Sequence, residues 1–227
     1  MATRRVTQDS SDSDGYLRLR EAIVHGELVP NQRLVEADII SMFSLPRGAV
    51  RSALLRLEHE GLVEREPHRG ARVRHITEQE AVEILQTRAV LEGLAARHAA
   101  LNRTEEDAAE LEAILAEQRA ALEREDLLGA SEINARLHAR IVELSGHGTM
   151  QRLVRGLKSQ TVRFQFRTIL LPGRPSQSAR EHGAIVAAIV AGDADEAERA
   201  MREHIDHVAA ALGATGDGLP PRASALG

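Results

Sequence analysis

The chain has no cysteine, no tryptophan, one tyrosine and three phenylalanines in 227 residues. Without cysteine there is no disulfide framework, no thiolate zinc site and no cysteine nucleophile. Aromatics at 2% leave no platform for stacking the bases of single-stranded nucleic acid. No apolar run approaches the roughly 18 residues of a membrane span. The start, MATRRVTQDSSDSDG, lacks the apolar core of a signal peptide. The expected location is the cytoplasm, with no membrane partner. Lysine is nearly missing too: 28 of the 29 basic residues are arginine, so arginine content in itself says little about nucleic acid. A net charge of −5 argues against a non-specific polyanion binder.

What is present is ample core, with 43% hydrophobic residues, enough for one large or two small domains. The charge divides unevenly. Residues 1–75 hold 12 basic and 11 acidic side chains, and the remainder holds 17 and 23. The acid is concentrated downstream of the stretch from Glu36 to Val73, which carries the sharpest pattern in the chain. There, Ala37, Ile40 and Met42 suggest a short helix, and Phe43-Ser44-Leu45 a turn. Pro46 suits a first helical position, where its missing N–H is no loss. Val50, Ala53, Leu54 and Leu57 then recur at helical spacing. Arg47 and Arg51 sit one turn apart on the flank of that stripe, near the helix N-terminus, the part of a recognition helix that reaches base edges. Arginine offers guanine edges and phosphates a bidentate fork. Gly61 fits the residue just past a helix end. Leu62-Val63-Glu64 and Ala71-Arg72-Val73 read as two short strands around Pro67-His68-Arg69-Gly70, a wing whose Arg69 suits a minor groove.

This segment resembles the winged helix-turn-helix of GntR-type bacterial repressors. The residues that carry the likeness are Leu34, Glu36, Arg47, Val50, Arg51, Ala53, Leu54, Leu57, Glu60, Gly61, Leu62, Val63, Gly70 and Val73. Upstream, Tyr16, Leu19, Arg20, Ile23, Gly26 and Pro30 match the family's leading helix and turn. Pro46, Gly48 and Ser52 depart from the usual Ser, Thr and Glu. The resemblance implies binding of a double-stranded DNA operator by Arg47, Gly48 and Arg51 on the helix and by His68, Arg69 and Gly70 in the wing.

After His75 the strand signals vanish. Thr77-Glu-Gln-Glu80 reads as a capping box before a helix carrying Val82, Leu85, Ala89 and Leu94. Helices follow from Thr104, over 126–145, over about 149–170, over roughly 177–191 and over 193–212, with Leu171–Ser176 as a loop. The expected fold is mostly α: an N-terminal winged helix-turn-helix of three helices plus a β-hairpin wing over 15–75, and an all-helical antiparallel bundle over 76–212. Residues 1–14 and 213–227 are rich in Gly, Ser, Pro and Asp and are expected to be disordered.

The helical part resembles the effector-binding FCD domain of the FadR branch of the GntR family, through Arg88-x-x-x-Glu92, Asn134-x-x-x-His138, Ser145-Gly146, Glu181-His182, Gly192-Asp193 and Met201-x-x-His204-Ile205. Asn134 and His138 are four apart and share a helix face. His182 and His204 come from two later helices whose apolar stripes face the same interior. The resemblance implies a divalent metal ion (Zn, Ni or Mn) held by Asn134, His138, His182 and His204, since neutral imidazole suits such metals. In the family the first ligand is typically Asp, and Asn supplies only a neutral oxygen. Arg88 and Arg163 are the candidate effector-binding residues, each suited to a small carboxylate. Arg88 has an ion pair with Glu92 as its alternative, and Arg163 a solvated face. The reading is a ligand-responsive transcriptional regulator, not an enzyme, acting as a homodimer on paired half-sites. The rival is a metal-dependent hydrolase with an accessory DNA-binding module and Glu181 as general base.

Overall fold

The computed structural model describes residues 14–66 and 70–214. The segments expected to be disordered lie outside that range, except Asp14, which is helical, Gly213, which closes the last helix, and Ala214 just past it. The chain divides into two compact units. The first is residues 1–77 together with 155–163, and the second is 78–154 with 164–227.

The first unit runs α1 (residues 14–24), β1 (Arg33–Leu34), α2 (Glu36–Phe43), α3 (Arg47–His59), β2 (Val63–Glu66) and β3 (Gly70–Val73). One core cluster joins Leu19 and Ile23 of α1 to Val50, Ala53, Leu54 and Leu57 of α3, so the α3 stripe is buried as its spacing predicts. In α2 the phase differs. Ile39 and Phe43 face the core, while Ala37 and Met42 are exposed. Ile39, Ile40, Met42 and Phe43 are all apolar, so the sequence admits both phases. The Ile39–Phe43 phase wins because it places an aromatic ring four residues from an isoleucine on one face.

The turn also shifts by one residue. Phe43 is the last helical residue, and Ser44 adopts the left-handed conformation (φ 51°) that ends α2. Pro46 is extended and stands just before the helix, not inside it, and contributes no side-chain cap. Leu45 and Val50 share the core cluster, and this pairing across the helix start fixes the direction in which the chain enters α3.

At the other end of α3, Gly61 has φ 71°. The Leu62 N–H donates to the Leu57 carbonyl and the Gly61 N–H to the Glu58 carbonyl, the paired closure that satisfies the last helical carbonyls. The two expected wing strands are joined by a third, β1, in the order β1-β3-β2, all antiparallel. Arg72 on β3 lies opposite Arg33 on one side and Glu64 on the other, and its guanidinium donates to Glu64 at 2.6 Å.

The second unit is helical: α4 (Glu78–Asn102), α5 (Glu105–Glu123), α6 (Leu127–Leu144), parts of α7 (Gly148–Ile169), α8 (Arg174–Ala191) and α9 (Ala194–Gly213). α4 packs on α9, α6 and α8, and α5 packs on α6 and α8. Thr104 and Asp107 form a reciprocal capping box at the start of α5, and Asp126 and Asp193 cap α6 and α9. α8 begins earlier than expected. Gly173 (φ 78°) precedes it and Pro175 sits in its first turn, where a missing N–H removes no helical bond. Among the described residues no helix is long and apolar enough to cross a membrane.

Candidate functional site

Two groups of side chains stand out. The first lies at the start of α3. Burial of Val50, Ala53, Leu54 and Leu57 turns the opposite flank of the helix outward. Arg47 and Arg51 are 71% and 61% exposed there. Gly48 beside them is exposed as well. Both arginines share one carboxylate: the Arg51 Nε is 3.0 Å from each Glu36 oxygen, and the Arg47 Nε is 3.5 Å from Glu36 Oε2. Gly70 opens β3 with φ 87°, a conformation glycine adopts without steric penalty. His68 and Arg69 lie outside the described residues.

The second group is built by five helices, α4, α5, α6, α8 and α9. His138 on α6, His182 on α8 and His204 on α9 are buried. One ring nitrogen from each lies within 4.8 Å of the others. The outer nitrogens are all engaged. His138 Nδ1 donates to Glu92 at 2.7 Å, and His204 Nδ1 donates to Glu181 at 2.6 Å. His182 Nδ1 meets Gln118 Oε1 at 2.8 Å. The Gln118 amide nitrogen points to the Ala130 carbonyl, so its oxygen is the acceptor that faces His182. A carboxylate or amide oxygen fixes the proton on Nδ1 and leaves the Nε2 lone pair facing the opposite way.

The consequence is electrostatic. His182 Nε2 and His204 Nε2 stand 3.2 Å apart with lone pairs facing each other. A cation relieves that repulsion. Nitrogens about 2.1 Å from a common ion stand roughly 3.0–3.4 Å apart, which brackets the observed distance. The side-chain oxygen of Asn134 is buried with no hydrogen-bond partner. It is four residues from His138 on the same helix. An orphaned buried oxygen carries a penalty that a fourth ligand bond would remove. These residues therefore fit a divalent cation.

Three contacts to the histidine rings escaped the sequence reading, which paired Glu92 only with Arg88 and gave Glu181 only as a general base. Glu92 is 0% exposed and receives both His138 and the Arg88 guanidinium, whose Nε lies 2.7 Å away. The ion-pair alternative for Arg88 is thus the contact present. Gln118 sits on the same buried stripe of α5 as Leu111, Ile114 and Leu115. A polar residue interrupting an apolar stripe was the available signal in both cases. Glu181 is not turned away from the cluster by its neighbour His182. It reaches His204 on the next helix, and also receives His207, Arg174 and Gln177. It does so on the Nδ1 side, which is not where a base for an ion-bound water would stand.

Burial pushes the Glu181 carboxyl up, but the hydrogen bond and electrostatic pull of His204, with Arg174, outweigh it and hold the group at about 2. Burial drives His204 below the usual imidazole range, against the pull of Glu181. A neutral ring is the form that binds metal. Arg163 lies on the part of α7 that groups with the first unit, and its side chain is outside the described set. Replacing Glu92 by Gln keeps an acceptor for His138 but removes the charge. Metal affinity is expected to fall roughly 10–100-fold, measured by competition with a chromophoric chelator.

Each group lies in a segment that matches a known family. Residues 83–207 match the family described as "FCD domain". Residues 14–73 match "Bacterial regulatory proteins, gntR family". Over 193 residues the chain is 29% identical to "HTH-type transcriptional repressor RspR" of Escherichia coli K12, covering 85% of each. It is 28% identical over 200 residues to "HTH-type transcriptional repressor GlaR" of the same organism, covering 85% of this chain and 91% of that one. The solved structure "E. coli McbR/YncC" shares the fold with a TM-score of 0.76 at 21% identity, covering 90% of this chain and 98% of that one.

Proposed function

We propose, for a chain that belongs to the gntR family of bacterial regulatory proteins and carries an FCD domain, a repressor that a small organic acid releases from DNA in the cytoplasm. The family consists of transcriptional regulators, so the hydrolase reading is set aside. Repression is supported by the relatives named repressors.

The observation that carries the sensing half is the buried His138–His182–His204 cluster with its three outer partners. His138, His182 and His204, with Asn134, would hold a divalent ion of the Zn, Ni or Mn class. Such an ion supplies a positive, Lewis-acidic centre suited to a carboxylate. Glu92, Gln118 and Glu181 hold the three rings in the required tautomer. Glu92 also takes up the positive charge of Arg88, and a competing carboxylate effector would have to offer Arg88 a better pair. Arg163 remains a second candidate contact for the effector.

On the DNA side, Arg47, Gly48 and Arg51 meet the major groove, and His68, Arg69 and Gly70 form the wing contact. Two copies of the chain read two half-sites. Effector binding weakens operator affinity to the extent that it favours one arrangement of the protein over the other. The test uses a duplex enriched from a randomised library by the parent protein. A panel of mono- and dicarboxylates is screened by thermal shift on metal-loaded and chelated protein. At least one acid should raise the melting temperature only with metal present, and the same acid should weaken duplex binding by about 5–150-fold. An acid that stabilises both forms equally and leaves the duplex bound would refute the sensor reading.

A further inference from the structure

The carboxylate of Glu36 is shared by the two arginines assigned above to operator contact. We propose that Glu36 is a positioning and specificity residue for DNA, an inference that rests on the DNA-binding reading of α3. Glu36 is the first residue of α2, and its side chain is 34% exposed. Arg47 and Arg51 are four residues apart in the first turns of α3. Both contacts to Glu36 use Nε: 3.0 Å to each oxygen for Arg51 and 3.5 Å for Arg47.

This geometry has two effects. A guanidinium held at Nε has its side edge occupied and turns its end edge, Nη1 and Nη2, outward. That end is a two-donor fork able to span the two acceptors of a guanine edge. The carboxylate therefore selects one presentation of Arg51 before DNA arrives, draws Arg47 toward the same side, and reduces the rotamer freedom lost on binding. It also offsets one of two adjacent positive charges. Phosphate attraction is sequence-independent and scales with the charge neutralised. A partly neutralised pair binds any duplex less tightly while keeping its fork for the right base pair. Glu36 thus trades general affinity for discrimination.

The experiment compares Glu36→Gln with Asp38→Asn in the full chain. Asp38 is an exposed acid in the same first turn of α2, and its loss makes the same charge change. Each variant is titrated with the library-enriched duplex and with a scrambled duplex of equal composition, across a range of salt. For Glu36→Gln the ratio of specific to non-specific affinity is expected to fall roughly 10-fold, with non-specific binding rising and its salt slope steepening by up to about 1. Asp38→Asn should move both duplexes together and leave the ratio unchanged. A double-mutant cycle of Glu36→Gln with Arg51→Ala should show coupling, because the two groups touch.

If Glu36→Gln keeps the parental ratio, or shifts both duplexes alike as Asp38→Asn does, the proposal is overturned as a plain charge effect. If Arg51→Ala also binds the enriched duplex like the parent, the DNA reading itself has failed. If Arg51→Ala is weakened while Glu36→Gln retains the ratio, only the role of Glu36 is lost. Thermal unfolding of Glu36→Gln close to the parent excludes a folding defect as the cause of a lost ratio.

Discussion

Metal-saturated protein should melt about 10 °C above chelated protein. The figure follows from mass action. A ligand held at roughly 1,000 times its dissociation constant adds about 4 kcal/mol, and each kcal/mol moves the midpoint by about 2–4 °C in a chain of this size. The physical source is the inward-facing nitrogen pair 3.2 Å apart and the buried Asn134 oxygen without a partner. Both are unfavourable without a cation and favourable with one. Changing His182 or His204 to Ala should abolish the increment, whatever it does to the starting midpoint. Asn134→Asp adds a charged ligand and should enlarge the increment. Differential scanning fluorimetry with and without chelator measures all of these. Coincident melting of loaded and chelated parent would remove the ion from the sensor.

The double substitution Arg47→Ala, Arg51→Ala should weaken operator binding roughly 100-fold or more, since each well-made bidentate contact contributes about 1–3 kcal/mol of discrimination. The two side chains are solvent-facing despite their shared carboxylate, so removal leaves no cavity. Folding should therefore be unaffected. Arg199→Ala is a fair charge control. Its guanidinium is 56% exposed on α9 and, among the described residues, pairs with neighbouring Glu196 and Glu203. Gel-shift titration at one fixed salt concentration decides the matter, because affinities at different salt are not comparable. Parental binding by the double variant would show that α3 is not the reading helix.

Much of this was legible in the amino-acid order, and the gaps have physical causes. The α3 stripe was legible because Val50, Ala53, Leu54 and Leu57 recur on one face with Arg47 and Arg51 off it, although Leu55 is an apolar residue left exposed. α2 was not, since four apolar residues in a five-residue window fit two phases. β1 is a two-residue strand whose pairing with β3 depends on residues almost forty positions away, and nothing local announces it. The start of α8 was hidden because Pro172, Gly173 and Pro175 look like loop, although a proline in a first turn is compatible with a helix. The three histidines and Asn134 were singled out by their positions in the pattern of the FCD family that the sequence resembles. Glu92, Gln118 and Glu181 could not be assigned to particular rings, because each approaches its imidazole from a different helix.

The first unit is not contiguous in the chain. Residues 155–163 belong to it, and Arg20 of α1 donates to Ser159 at 2.6 Å while Arg74 donates to Gln160 at 3.0 Å. A fragment ending near Thr77 would leave both guanidiniums without those acceptors and bare the surface that α7 covers. Swapping sensors between relatives at that junction would splice a foreign helix against the reader. Chimeric biosensors made from this chain should therefore carry residues 155–163 along with the DNA-binding half.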